Sequence, residues 1–357
     1  MVTGRAHLAA LERPRPGAAP APSRLDALRL DKNECADPAF ARRLHQAVAG
    51  AITPEDLTAY PETDLLYHKL ADRLGLGVDS LYLAAGSDGA IRAVFQAFVA
   101  PGDRVLVPEP TFAMYPVYCD MFQAERIPLP YGADLTVSLD AAREALAQGA
   151  RVWVLPNPDS PTGAAHTPKV LRSAVEAAAR AGTIVLVDEA YYPYFPHTAL
   201  GWVGEFDNLV VVQTFSKAWA LAGHRVGFAA AAPGLTRFLH AQKPMYEIGQ
   251  ASVKAACVAL DHESDMRASV ARTLAGKAWF AAALRERGLR VREGHANFLL
   301  VDFGPRREAV VGRLQAAGVL FKASFPHAAL AGYARISAAP RPVLEPVLAC
   351  IDEAMAE

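Results

Sequence analysis

The chain has 357 residues, 52% of them hydrophobic and 20% charged, which is large enough for one big domain or two closely packed ones and excludes wholesale disorder. Thirty-six lysines and arginines offset thirty-seven aspartates and glutamates, interspersed along the sequence, for a formal charge of −1, so no field of one sign exists to attract nucleic acid or an anionic membrane. The cysteines, Cys35, Cys119, Cys257 and Cys350, are too widely spaced for a disulfide framework or a zinc site, and with no secretion signal or membrane-length apolar run in view the expected setting is cytoplasmic, without a metal.

Residues 1–29, with Pro14, Pro16, Pro20 and Pro22, read as an extended arm. Residues 30–54 are expected to join a smaller C-terminal domain, and residues 55–245 to form a large α/β domain. Its strands are the near-continuous apolar runs LYLAA (81–85), RVLVPEP (104–110), RVWVLPNP (151–158), TIVLVDEA (183–190), LVVVQTF (209–215) and RVGFAAA (225–231), as strands buried on both faces tend to be. Between the first two, Ile91, Val94, Phe95 and Phe98 recur on one helical face, and Pro101-Gly102-Asp103 makes a turn. The alternation predicts a mostly parallel seven-stranded sheet between helices. Residues 246–357 change texture to long helices, the strand NFLLVDF (297–303), short strands near GVLFKAS and YARIS, and a closing helix with Leu344, Val347, Leu348 and Ile351, which reads as a smaller α+β domain.

Several strand ends carry chemistry. In TFSKAWALAGHRVGF (214–228), Lys217 follows a predicted strand, where partial desolvation would lower its pKa and free the amine to condense with an aldehyde, while Ser216 and Arg225 could grip a phosphate; the plain alternative is a surface lysine and a strand-capping arginine. In LAAGSDG (83–89) a helix start follows a glycine turn, so backbone N–H groups and the Ser87 hydroxyl suit a phosphate, or Ser87 and Asp88 serve only as caps. Asp188 in IVLVDEAYYPYF ends a buried strand, where a carboxylate needs a cation such as a protonated ring nitrogen, or else caps the next turn. LPNPDSPTG (155–163) and PEPTFAMY (108–115) are loops at two further strand ends. His68, His224 and His295 read as structural or surface residues.

Together, in this order, these motifs and HANFLL resemble the fold-type I pyridoxal 5'-phosphate enzymes, in particular the class I/II aminotransferases, and within them the histidinol-phosphate aminotransferase branch. The resemblance implies a pyridoxal 5'-phosphate cofactor, Lys217 as its Schiff-base lysine and proton carrier, Asp188 beside the pyridinium nitrogen, Tyr191 on the ring hydroxyl and Phe112 stacked on the ring. It implies Ser87, Asp88, Ser216 and Arg225 around the phosphate, Tyr60 reaching a neighbouring subunit's phosphate in a homodimer, Arg335 on the substrate carboxylate, and Asn33 near the substrate. Ser160 stands where the family usually has an asparagine that donates to the ring hydroxyl. Lys322 stands where histidinol-phosphate enzymes tend to place an arginine for the substrate phosphate, without that residue's bidentate fork. The implied reaction is amino-group transfer from an L-amino acid, or a donor such as histidinol phosphate, to a 2-oxo acid. A decarboxylase of the threonine-phosphate type and a non-catalytic cofactor-binding homologue are the alternatives.

Overall fold

The structure, a computed structural model, describes residues 4–9, 11, 23–132 and 135–356. The four prolines of the predicted arm lie outside the described residues, and within it Ala6–Ala9 form one helical turn, a departure from an arm extended throughout. The strands are β1 (Leu28–Leu30), β2 (Leu81–Ala84), β3 (Arg104–Glu109), β4 (Glu125–Pro130), β5 (Val152–Pro156), β6 (Ile184–Asp188), β7 (Leu209–Thr214), β8 (Gly227–Ala231), β9 (Arg290–Arg292), β10 (Phe298–Asp302), β11 (Val319–Phe321) and β12 (Tyr333–Ser337). Seven of them form one sheet in the order β2-β8-β7-β6-β5-β3-β4, parallel except for β8.

The continuous apolar runs are explained by helices on both faces. Leu83, Val185, Val187 and Val211 enter one core cluster, while their chain neighbours Tyr82, Leu186, Val210 and Val212 enter another on the opposite side. Each such side chain contributes about 1.5–3 kcal/mol by leaving water. The helix Gly86–Phe98 buries Ile91, Val94, Phe95 and Phe98, the face read from their spacing. Helix Pro168–Arg180 starts on a Thr167 cap with Pro168 in its first turn and buries Leu171, Ala174, Val175 and Ala178.

Strand β4 is absent from the sequence-predicted runs. It is an edge strand with Pro128 and Pro130, mostly exposed, so it lacks the apolar continuity that marks the central strands. Beyond the sheet, β12-β10-β9 form an antiparallel three-stranded sheet and β1 pairs in parallel with β11. Leu30 packs there with Phe280, Leu299, Ile336 and Val347. Among the described residues no helix is long and apolar enough to cross a membrane.

Candidate active site

Parallel neighbours bring the carboxyl ends of β3, β5, β6 and β7 to one edge of the sheet, where ligand loops of open α/β sheets gather. β8 runs against both β7 and β2, so β2 ends at that same edge and β8 begins there. This is why Arg225 precedes its strand whereas Asp188 and Lys217 stand at the ends of theirs. A cavity of about 150 Å³ opens at the edge, and Ser87, Asp88, Phe112, Ser160, Asp188, Tyr191, Ser216, Lys217 and Arg225 all line it.

At one end of the cavity Gly86 opens the helix Gly86–Phe98 with φ 77°. A Cβ there would lie 2.6 Å from Arg225 Nη2, so the guanidinium sits directly over the helix start. Arg225 itself has φ 53° and donates from Nη1 to Ser216 Oγ at 3.1 Å. The cap reading of Ser87 and Asp88 is corrected: the cap position is Ala85, which makes no side-chain cap bond, and Asp88 instead accepts from the Tyr118 hydroxyl at 2.8 Å. First-turn amides, two serine hydroxyls and one guanidinium thus converge, a donor set suited to a phosphate.

Gly227, which sequence reasoning passed over although it lies within the quoted motif, supports this cradle from below. A Cβ at Gly227 would meet Gly86 C at 2.4 Å and Ser87 N at 2.5 Å, both backbone atoms that cannot swing aside. Gly227→Ala is expected to displace the helix start, costing about 1–3 kcal/mol. Cofactor titration followed by fluorescence should show correspondingly weaker binding, and unchanged affinity would contradict the assignment of the cradle.

At the other end Asp188 is buried, its Oδ2 accepting from the Tyr115 hydroxyl at 2.5 Å and its Oδ1 from the Ala190 amide at 3.0 Å. Burial pushes its pKa above the usual carboxylate range, and the Tyr115 hydroxyl, the Ala190 amide and the nearby Lys217 charge offset part of that rise. Tyr115 lies inside a quoted motif but was not singled out. Lys217, half-buried, donates from Nζ to the Lys32 carbonyl at 2.6 Å; burial first, then the Arg335 charge, brings its pKa down to about 8. The Tyr191 hydroxyl accepts from Asn33 Nδ2 at 2.8 Å, and Phe112 stands edge-on to Tyr115 at 5.5 Å between ring centroids.

Strand alternation sends Glu189, the other half of the acidic pair, away from the cavity to Thr198, the Ala199 amide and Gln213. Burial pushes its pKa from 4.5 up to about 7. The fold therefore favours the protonated form, a contribution present below 4.5 and lost as pH rises through about 7. Glu189→Gln is expected to remove a decline of about 3 kcal/mol over that window, read by chemical denaturation at several pH values.

Arg335 donates from Nη1 to Ser160 Oγ at 2.8 Å and from Nη2 to the Asp31 carbonyl at 2.7 Å, while its buried Nε has no partner. Ser160, which stands where the family has its ring-hydroxyl asparagine, accepts from Arg335 and also hydrogen-bonds Tyr191. Lys322 is exposed and pairs with Arg335 only through the backbone; it lines an adjoining cavity of about 730 Å³ instead of the smaller one. Tyr60 is 73% exposed and stacked on Tyr246 at 4.2 Å, away from this chain's own cavity lining. His224 approaches Ser252 and His295 stands against Phe195.

Residues 26–348 match the family described as aminotransferase class I and II. The chain belongs to the class I and II aminotransferases. This aminotransferase is 34% identical to the histidinol-phosphate aminotransferase of Symbiobacterium thermophilum, with 74% of this chain and 73% of that one covered. It is also 34% identical to the histidinol-phosphate aminotransferase of Thermobifida fusca over 77% of this chain and 76% of the relative. The fold is shared with the Sinorhizobium meliloti histidinol-phosphate aminotransferase solved with pyridoxal-5'-phosphate (TM-score 0.82, 24% identity, 92% and 91% covered). It is shared too with an L-threonine-O-3-phosphate decarboxylase from Porphyromonas gingivalis (TM-score 0.78, 20% identity, 92% and 100% covered). The cofactor of this aminotransferase is pyridoxal 5'-phosphate, and the residues present fit it: the glycine-walled cradle would suit its phosphate, the buried Asp188 carboxyl its ring nitrogen, and the Lys217 amine its aldehyde.

Proposed function

We propose that this aminotransferase moves the amino group of an L-amino acid, or of a donor such as histidinol phosphate, to a 2-oxo acid, with Lys217 as the amine that binds the cofactor covalently. The observation that carries the reading is the meeting in one cavity of the Lys217 amine, the buried Asp188 carboxyl and the Arg225 guanidinium over a helix start, with Arg335 joined to the cavity wall through Ser160. When bound, pyridoxal 5'-phosphate supplies an aldehyde for amine exchange and a ring that draws electrons from the substrate Cα.

This chain's residues do the rest. With its pKa brought down to about 8, Lys217 Nζ can hold a proton or release it, which suits it to remove the Cα proton and return one. Asp188 holds positive charge on the ring nitrogen, fixed in place by Tyr115 and the Ala190 amide. Tyr191, oriented by Asn33, addresses the ring hydroxyl, and Phe112 covers the ring face. Arg335 presents its guanidinium to the donor carboxylate as a charge-assisted fork. Arg225, Ser216, Ser87 and the first-turn amides hold the phosphate. Asp88 supports that helix start through Tyr118.

We read Tyr60, which is exposed and lies outside this chain's own cavity lining, as reaching the phosphate of a neighbouring subunit, and the active unit as a homodimer with two shared sites. The free thiols of Cys35, Cys119, Cys257 and Cys350 support a reducing, cytoplasmic setting. The test is a screen of histidinol phosphate and aromatic, basic and acidic amino acids with 2-oxoglutarate. Glutamate formation with one donor class is the expected result. Release of carbon dioxide without glutamate would overturn the reading in favour of a lyase.

A further inference from the structure

A second carboxylate sits in the loop that carries Ser160, facing the loop that carries Phe112. Asp159 is 1% exposed and lines the same cavity as Asp188. Its Oδ1 accepts from the Thr111 hydroxyl at 2.8 Å, and its Oδ2 accepts from the hydroxyls of Tyr131 and Thr162. Its own amide donates to the Ala164 carbonyl and its carbonyl accepts from the Gly163 amide, which closes the loop around it.

The need for such a tie follows from the sheet. β3 and β5 pair only at Val105 with Val152 and Leu106 with Trp153, although both strands continue, and Pro108 and Pro156 have no N–H to extend that ladder. β3 and β4 stay paired as far as Glu109 and Pro130, and Tyr131 follows directly, its amide donating to the Glu109 carbonyl. Asp159 therefore clips the ends of three strands beyond the point where the β3–β5 ladder stops: β5 through its own loop, β3 through Thr111, and β4 through Tyr131. On one side of the clip stands Phe112. On the other stands Ser160, whose hydroxyl accepts from Arg335.

Resting on the reading of the site given above, we propose that Asp159 is a positioning residue of the transamination site, setting the ring-covering Phe112 and the carboxylate-gripping Arg335 at a fixed spacing. Its partners are hydroxyls, and burial raises its pKa to about 7, so the tie needs the hydrogen bonds more than the charge. An amide keeps the acceptor for Thr111 and, because a tyrosine hydroxyl can accept as well as donate, keeps a partner for Tyr131.

The experiment compares Asp159→Ala, Asp159→Asn and Thr111→Val. Small misplacements of a substrate grip carry large penalties, so Asp159→Ala is expected to raise KM for the amino donor at least about tenfold with a smaller change in kcat. Asp159→Asn should recover most of that loss, and Thr111→Val should reproduce part of it. Amide hydrogen exchange in protein free of cofactor should quicken over residues 110–116 in Asp159→Ala and return toward the original rate in Asp159→Asn. Unchanged KM and exchange in Asp159→Ala, or equal losses in Asp159→Ala and Asp159→Asn, would overturn the proposal; if Asp159→Ala does not fold, Thr111→Val with unchanged KM and exchange overturns it. Borohydride capture of the cofactor at Lys217 in the unaltered chain tests the underlying reading separately, since its failure would leave the exchange result intact.

Discussion

Lys217→Ala, supplied with excess pyridoxal 5'-phosphate, is expected to lose at least about 10⁴-fold in kcat and to give no labelled peptide after borohydride reduction. Two roles vanish together, the covalent hold on the cofactor and the proton carrier at Cα; general acid–base work alone is worth about 10²–10⁴-fold. The position is unusual for a lysine because burial, reinforced by the nearby Arg335 and Arg225, has brought its pKa down from 10.5 to about 8. At neutral pH the amine is therefore within reach of its neutral, nucleophilic form. Steady-state kinetics and peptide mapping of the reduced protein provide the measurement, and turnover close to that of the unaltered chain would remove Lys217 from the mechanism.

The second large effect is expected from Asp188→Asn. Removing one member of a buried charge pair costs about 3–5 kcal/mol, or about 10²–10⁴-fold in rate when the charge matters most on the way to the transition state. The asparagine keeps the shape and can still accept from Tyr115 or the Ala190 amide, so the expected loss falls on kcat of the half-reaction with amino donor, with little change in thermal stability. Single-turnover absorbance changes would separate that loss from weaker binding. Normal single-turnover rates would mean that the ring needs no fixed negative charge here.

Much of this site was legible because its parts sit at strand ends that announce themselves. IVLVD reads as a buried strand because its apolar residues run without a break, every residue from Ile184 to Asp188 is indeed buried, and a carboxylate at the end of such a run calls for a partner. The same logic located Lys217 after β7 and the helix start after β2. It failed for β4, whose two prolines and exposed alternate residues mimic a loop. It missed Tyr115, Gly227 and Asp159, because an aromatic, a glycine and an aspartate have many local uses and only their neighbours in space select one.

The contacts that complete the site cross long stretches of chain. Asn33 meets Tyr191 across 158 positions and Arg335 meets Ser160 across 175. The sequence by itself determined the central strands, the amphipathic helices and the kinds of chemistry held at their ends, since periodic burial and turn residues are properties of short segments facing water. Only the tertiary structure decided which ends share a cavity, because strand order and the reversal of β8 select which loops are neighbours, and that selection rests on packing between segments that carry no mark of one another.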